Sequence, residues 1–238
     1  MVSQGGGRQL PWARLCGPVA ALVVLAGLGV PGFSDAAHEC FGRTPTIVGG
    51  PGNNHLDGTP GTDVISSDGG DDVVDSHEGA DFICGGPGDD ELHGGDGGDK
   101  IAGEGGRDFL DGRRGDDNVL LGGRGKDRLL GDSKLLGGPG ADKLDGYGYV
   151  ASDPIADVSK GGGGDDRITG DGNHDTLKGG AGSDRVAGEG GPDEVFGNAD
   201  GDFLFGGGGN DHINGGGGTD SCIQGGGTGS ELSCESLG

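Results

Sequence analysis

Carboxylates at a fixed spacing carry the chemistry of this sequence. Asp63, Asp72, Asp81, Asp90, Asp99, Asp108, Asp117, Asp127, Asp142, Asp166, Asp175, Asp184, Asp193, Asp202, Asp211 and Asp220 recur for the most part at intervals of nine residues. Two places after each stands Ile65, Val74, Ile83, Leu92, Ile101, Leu110, Val119, Leu129, Leu144, Ile168, Leu177, Val186, Val195, Leu204 or Ile213, with Cys222 closing the series. Acid and hydrophobe never exchange phase. Aligned carboxylates offer oxygen and nothing softer, which suits a hard dication: Ca²⁺ takes about 6 to 8 oxygens in irregular geometry, whereas Mg²⁺ demands a stricter octahedron and keeps water.

The elements that must position these acids follow from the whole repeat, GGxGxDxUx with U aliphatic, as in residues 85–93 (GGPGDDELH), 161–169 (GGGGDDRIT) and 206–214 (GGGGNDHIN). A nonapeptide with one apolar side chain cannot bury a core alone, so the period predicts a solenoid of stacked coils. Glycine at the first, second and fourth positions allows tight turning with carbonyls directed inward, and the x-U-x triplet alternates its side chains across a short strand. Glycine-rich backbone loses much entropy on ordering, one aliphatic per repeat returns little, and stacked aspartates repel one another. The metal-free chain is therefore expected to be largely unfolded, with a bound dication reversing both penalties.

The repeat resembles the repeats-in-toxin (RTX), or haemolysin-type, calcium-binding family over roughly residues 49–224. The resemblance implies an all-β, parallel β-roll in which two repeats make one coil and each Ca²⁺ lies between turns 18 residues apart, such as those of Asp72 and Asp90. It makes the sixteen aspartates metal ligands. Pairing them in this way gives roughly eleven Ca²⁺, six in a first block and five in a second. The net charge is −24, with 40 acidic against 16 basic residues. Acidity alone would suit a disordered tail, but a tail does not keep aspartate in fixed phase with an aliphatic.

Residues 1–36 read as a secretory signal peptide: Arg8 and Arg14, an apolar stretch at 19–30 (VAALVVLAGLGV), Pro31-Gly32, then Ser34 and Ala36 before a cut. The stretch is short for a membrane span, so no stable membrane insertion is expected, and the location implied is extracellular. Four cysteines then remain for an oxidising compartment, read as Cys40 with Cys84 and Cys222 with Cys234, with other pairings or free thiols as the alternative. Each pair would close one end of the solenoid. The expected organisation is a cap at 37–48, a first repeat block at 49–130, an irregular junction at 131–160, a second block at 161–224 and a cap at 225–238.

The junction breaks the period. Leu121 reads as an extra residue, 131–136 as a six-residue coil without its aspartate, and 146–160 (GYGYVASDPIADVSK) as a surface loop or partner-binding feature holding Tyr147 and Tyr149, with Asp153 or Asp157 as a further ligand. No enzyme is expected. A GDSK string at 131–134 and DGNH at 171–174 superficially resemble lipase blocks, but a Gly- and Asp-rich chain generates such strings by chance, and no HExxH or GxSxG is present. The histidines His38, His55, His77, His93, His174 and His212 fall at different repeat positions and read as solvent-facing. Nucleic acid does not suit so acidic a chain, and outward residues as mixed as Glu91, Lys100, Asp111, Arg128 and Arg167 do not suit ice. The expected function is secreted calcium binding coupled to folding. The alternatives are a calcium-stabilised module of a larger secreted enzyme or toxin, and an extracellular adhesion or matrix protein. The sequence identifies no protein or cell-surface partner.

Overall fold

The computed structural model describes residues 39–115, 118–131, 134–146, 157–227, 229–232 and 234. The proposed signal peptide, Asp117, Asp153, Tyr147 and Tyr149 lie outside the described residues. Among those described there is no helix, and hence none long and apolar enough to cross a membrane.

Successive strands alternate between two parallel sheets. One has eleven strands, from Ile47–Gly50 to Ser230–Leu232; the other has ten, from His55–Asp57 to Ser221–Gly226. Each repeat supplies one strand and two repeats make one coil, so a strand pairs with the one two repeats on: Ile65 faces Ile83, which faces Ile101, and Leu92 faces Leu110. This is a parallel β-roll. The in-register stacking places every eighth-position aliphatic in one of two columns, and the two columns pack against each other as a thin, fully buried core from Ile65 to Ile213. Because side chains alternate along a strand, the seventh and ninth positions face outward.

Two disulfides join cysteines among the described residues. Cys40 is joined to Cys84, with Cα atoms 5.6 Å apart, and Cys222 to Cys234, with Cα atoms 5.8 Å apart. Cys222 and Cys234 both pack against the end of the core. Beside the first disulfide, Phe41 meets Phe82 edge to face, and the Arg43 guanidinium lies 3.9 Å from the Phe82 ring centre.

Both sheets run through residues 119–163. Leu120 aligns with Ile101 and Leu135, and Leu129 with Leu144, which aligns with Ile168. Two expectations are corrected. Leu120, not Val119, enters the core, so Asn118 rather than Asp117 takes the sixth position, and Leu121 is an ordinary ninth residue. The extra residue therefore lies in the preceding turn. There it lengthens a loop, whereas within the strand it would flip every following side chain to the wrong face. The second correction is that Asp157 and Ser159 complete a full repeat: Ser159 sits in the core column between Leu135 and Leu177.

Candidate metal centre

Each repeat's turn is shaped for an approach between oxygen atoms. In residues 85–90, Gly86 is left-handed (φ 99°), and any Cβ there would collide with the carbonyl of Asp68 in the preceding coil. The left-handed twist belongs to the position itself, since Asp68, His77, Glu104 and Glu189 adopt it too. The first-position glycine has a different reason. Its φ is ordinary, but a Cβ on Gly103 would overlap Oδ2 of Asp108 and come within 2.7 Å of the Gly122 carbonyl oxygen. The same convergence of a carboxylate Oδ2 and a carbonyl from the next coil recurs beside Gly122, Gly137, Gly161, Gly188 and Gly197.

The aspartates are buried and form two columns, one on each edge of the roll. In the turns entering the ten-stranded sheet stand Asp72, Asp90, Asp108, Asp127, Asp142, Asp166, Asp184, Asp202 and Asp220. In the turns entering the eleven-stranded sheet stand Asp63, Asp81, Asp99, Asn118, then Asp157, Asp175, Asp193 and Asp211. Along each column a backbone N–H donates to Oδ1 of the residue one coil on. Among the described residues thirteen such bonds join aspartate to aspartate, at 2.7 to 3.1 Å. A fourteenth, from the Asp99 N–H, ends on Asn118 Oδ1 at 2.8 Å.

Oδ1 is thus used in holding the coils together, which leaves Oδ2. In Asp72, Asp81, Asp90, Asp99, Asp108, Asp127, Asp142, Asp166, Asp184, Asp193 and Asp202 this atom is buried without a hydrogen-bond partner. At the ends of the second column the protein caps it: Asp63 Oδ2 accepts from the Thr59 N–H (2.7 Å) and hydroxyl (2.9 Å), and Asp211 Oδ2 faces the Gln224 amide at 3.4 Å. Buried carboxylate oxygens without donors carry a large penalty unless a cation meets them.

Titration reflects that penalty. Burial, opposed in part by the donated backbone N–H and reinforced by neighbouring aspartates, raises Asp90, Asp99, Asp142, Asp184 and Asp202 to about 6 and Asp108, Asp166 and Asp193 to about 7. Asp81, Asp127 and Asp175 are raised for the same first cause.

The three departures from a nine-residue period all fall on one edge. They lie between Leu110 and Leu120, between Leu129 and Leu135, and between Leu144 and Ser159, all in turns entering the eleven-stranded sheet. The column of Asp72 to Asp220 is therefore continuous, while the other is divided around Asn118. Where the second column resumes, Asp157, Asp171 and Asp175 bring one carboxylate oxygen each to within 4.8 Å of one another. Asp171, at the second position of its repeat, was not foreseen. The second position holds other non-glycine residues, Asp68 and Glu104 among them, so the sequence carried no signal that singled it out.

His55, His77 and His93 are less scattered than the sequence suggests. His77 lies 3.6 Å from Asp57 and 3.5 Å from Asp75, and His93, its side chain mostly buried, lies 3.1 Å from Glu91. In-register stacking gathers them at one end of the ten-stranded sheet.

Two parallel sheets joined by glycine turns, with a column of buried carboxylates along each edge, define a repeat roll whose buried donors are the hard oxygens that suit a cation. The RTX calcium-binding nonapeptide repeat matches at residues 48–83, 85–119, 116–133, 160–195, 187–222 and 196–229. The chain belongs to that family. No curated protein sequence matches it.

Proposed function

We propose that this is an exported calcium-binding protein whose folding is completed by the metal outside the cell. The observation that carries the reading is the row of buried Oδ2 atoms without donors, beside which a main-chain carbonyl of the neighbouring coil converges at Asp90, Asp108, Asp127, Asp142, Asp166, Asp193 and Asp202. That donor set is all oxygen and largely anionic, which fits Ca²⁺. The ligands would be Asp63, Asp72, Asp81, Asp90, Asp99, Asp108, Asp127, Asp142, Asp157, Asp166, Asp175, Asp184, Asp193, Asp202, Asp211 and Asp220, with Asn118 as a neutral member and Asp171 as an added carboxylate. Bound calcium supplies positive charge between the coils; the aspartates hold it and orient the turns. One ion for each aspartate-to-aspartate step gives about thirteen, with Asp127, Asp142 and Asp166 carrying the first column through the junction and Asp157 opening the resumed second one. Export is supported by the basic and apolar pattern of residues 1–36 and by the two disulfides, which suit an oxidising compartment.

Native mass spectrometry of the calcium-saturated protein tests the reading. Well over half of the expected ions should be retained. One or two ions only, or equal retention of magnesium, would contradict it.

A further inference from the structure

The first coils of the roll gather imidazoles with carboxylates that the calcium columns do not use. Strands His55–Asp57 and Val73–Asp75 pair in register, which sets Asp57 beside Asp75 at the ninth, outward position. His55 stands two residues before Asp57, and the alternation of a strand turns both to the same face. His77, just after the second strand, has a left-handed backbone (φ 72°). Its two ring nitrogens face different acids: Nε2 is 3.6 Å from Asp57 Oδ1, and Nδ1 is 3.5 Å from Asp75 Oδ1. His55 Nε2 lies 4.0 Å from the same Asp57 oxygen. Asp75 is in turn held by Arg113, whose Nη1 donates to its two oxygens at 3.3 and 3.2 Å.

We infer that His55, Asp57 and His77 form a site for a borderline transition dication, Zn²⁺ above all, separate from the calcium columns. The surroundings of His77 are those of a metal-bound imidazole, in which a carboxylate at one nitrogen fixes the proton there and aims the lone pair of the other at the metal. Asp75, anchored by Arg113, takes the Nδ1 proton. Nε2 then meets Asp57 Oδ1 as one acceptor meets another, an approach that calls for a cation between them. Zinc bonds imidazole nitrogen and carboxylate oxygen at about 2.0 to 2.2 Å in a tetrahedron, so its ligand atoms stand about 3.4 Å apart. His77 and Asp57 match that edge to within a few tenths of an ångström. His55 does not yet share one tetrahedron with His77, but its side chain is 67 % exposed, so rotation about its own bonds closes the gap without displacing the core. Three protein ligands leave the fourth position to water. Calcium, which prefers an all-oxygen set, is the wrong ion for two imidazoles.

The test is calorimetric titration of the calcium-saturated full chain with Zn²⁺ in an excess of calcium. Wild type should take up a zinc ion that calcium does not displace. His77→Gln and Asp57→Asn should each lose about tenfold or more in zinc affinity, and Asp75→Asn, which alters only the positioning carboxylate, about tenfold. His212→Gln, on the other sheet and bonded to Ser230, should bind zinc like wild type. Every variant should keep the wild-type number of calcium ions, because none of these side chains belongs to the carboxylate columns. In wild type, whatever the fate of a variant's fold, the imidazole proton resonances of His55 and His77 should move on zinc addition while those of His212 stay. Zinc uptake that excess calcium abolishes, affinity unchanged in His77→Gln, or resonances of His55 and His77 that respond to acid but not to zinc would overturn the inference.

Discussion

The Asp90 N–H donates to Oδ1 of Asp108 at 2.9 Å, while Asp90's own Oδ1 accepts from Asp72 one coil earlier. Each aspartate is therefore a shared part of two steps in the column. Asp90→Ala should weaken two neighbouring sites together. Asp89 is exposed and paired with Arg107 at 3.3 Å, so Asp89→Ala should change little. Calcium titration of both variants distinguishes them; equal losses would mean that the acids are assigned in the wrong phase.

Glycine at the first position supplies a second, independent probe. Neither Gly103 nor Gly105 has a left-handed φ, so alanine strains neither backbone. A Cβ at Gly103 fills the space between Asp108 Oδ2 and the Gly122 carbonyl, whereas at Gly105 it meets nothing within 4 Å. Gly103→Ala should abolish at least one site without removing a carboxylate, and Gly105→Ala should bind like wild type. If both variants lose the same number of ions in native mass spectrometry, the proposed position of the metal is wrong.

The raised carboxyls give the metal-free roll an inverted pH dependence. Asp108, Asp166 and Asp193 hold their protons to about 7 in the folded roll, against 3.8 ordinarily. Their contribution is whole below the ordinary value and is lost as pH rises through the folded value. Demetallated protein should thus show more strand signal near pH 5 than near pH 8, and the calcium midpoint should move to higher concentration as acid competes for the same oxygens. Strand signal that grows with pH in the absence of metal would contradict this.

Much of the molecule was legible because one residue type marks each physical role. Aspartate and aliphatic in fixed phase located nearly every buried acid and the whole core column outside the junction. The junction was harder because Val119, Leu120 and Leu121 are all apolar, and only pairing with Ile101 and Leu135 selects the middle one. Ser159 gave no hydrophobic signal, so the coil it completes, and Asp157 with it, could be placed only once Leu177 was seen across the strand. Nor could a linear reading show that His77 meets both Asp57 and Asp75. It stands at a different repeat position from theirs, and only the stacking of coils sets the two acids side by side.

The central claim is that calcium completes the fold, and circular dichroism of the demetallated protein at neutral pH during calcium addition tests it most directly. The account predicts mostly disordered chain at first, then a cooperative rise of strand signal at roughly 0.1 to 1 mM Ca²⁺, as at other extracellular sites, with magnesium a poor substitute. Full strand signal before any metal is added, or an equal response to magnesium, would contradict it.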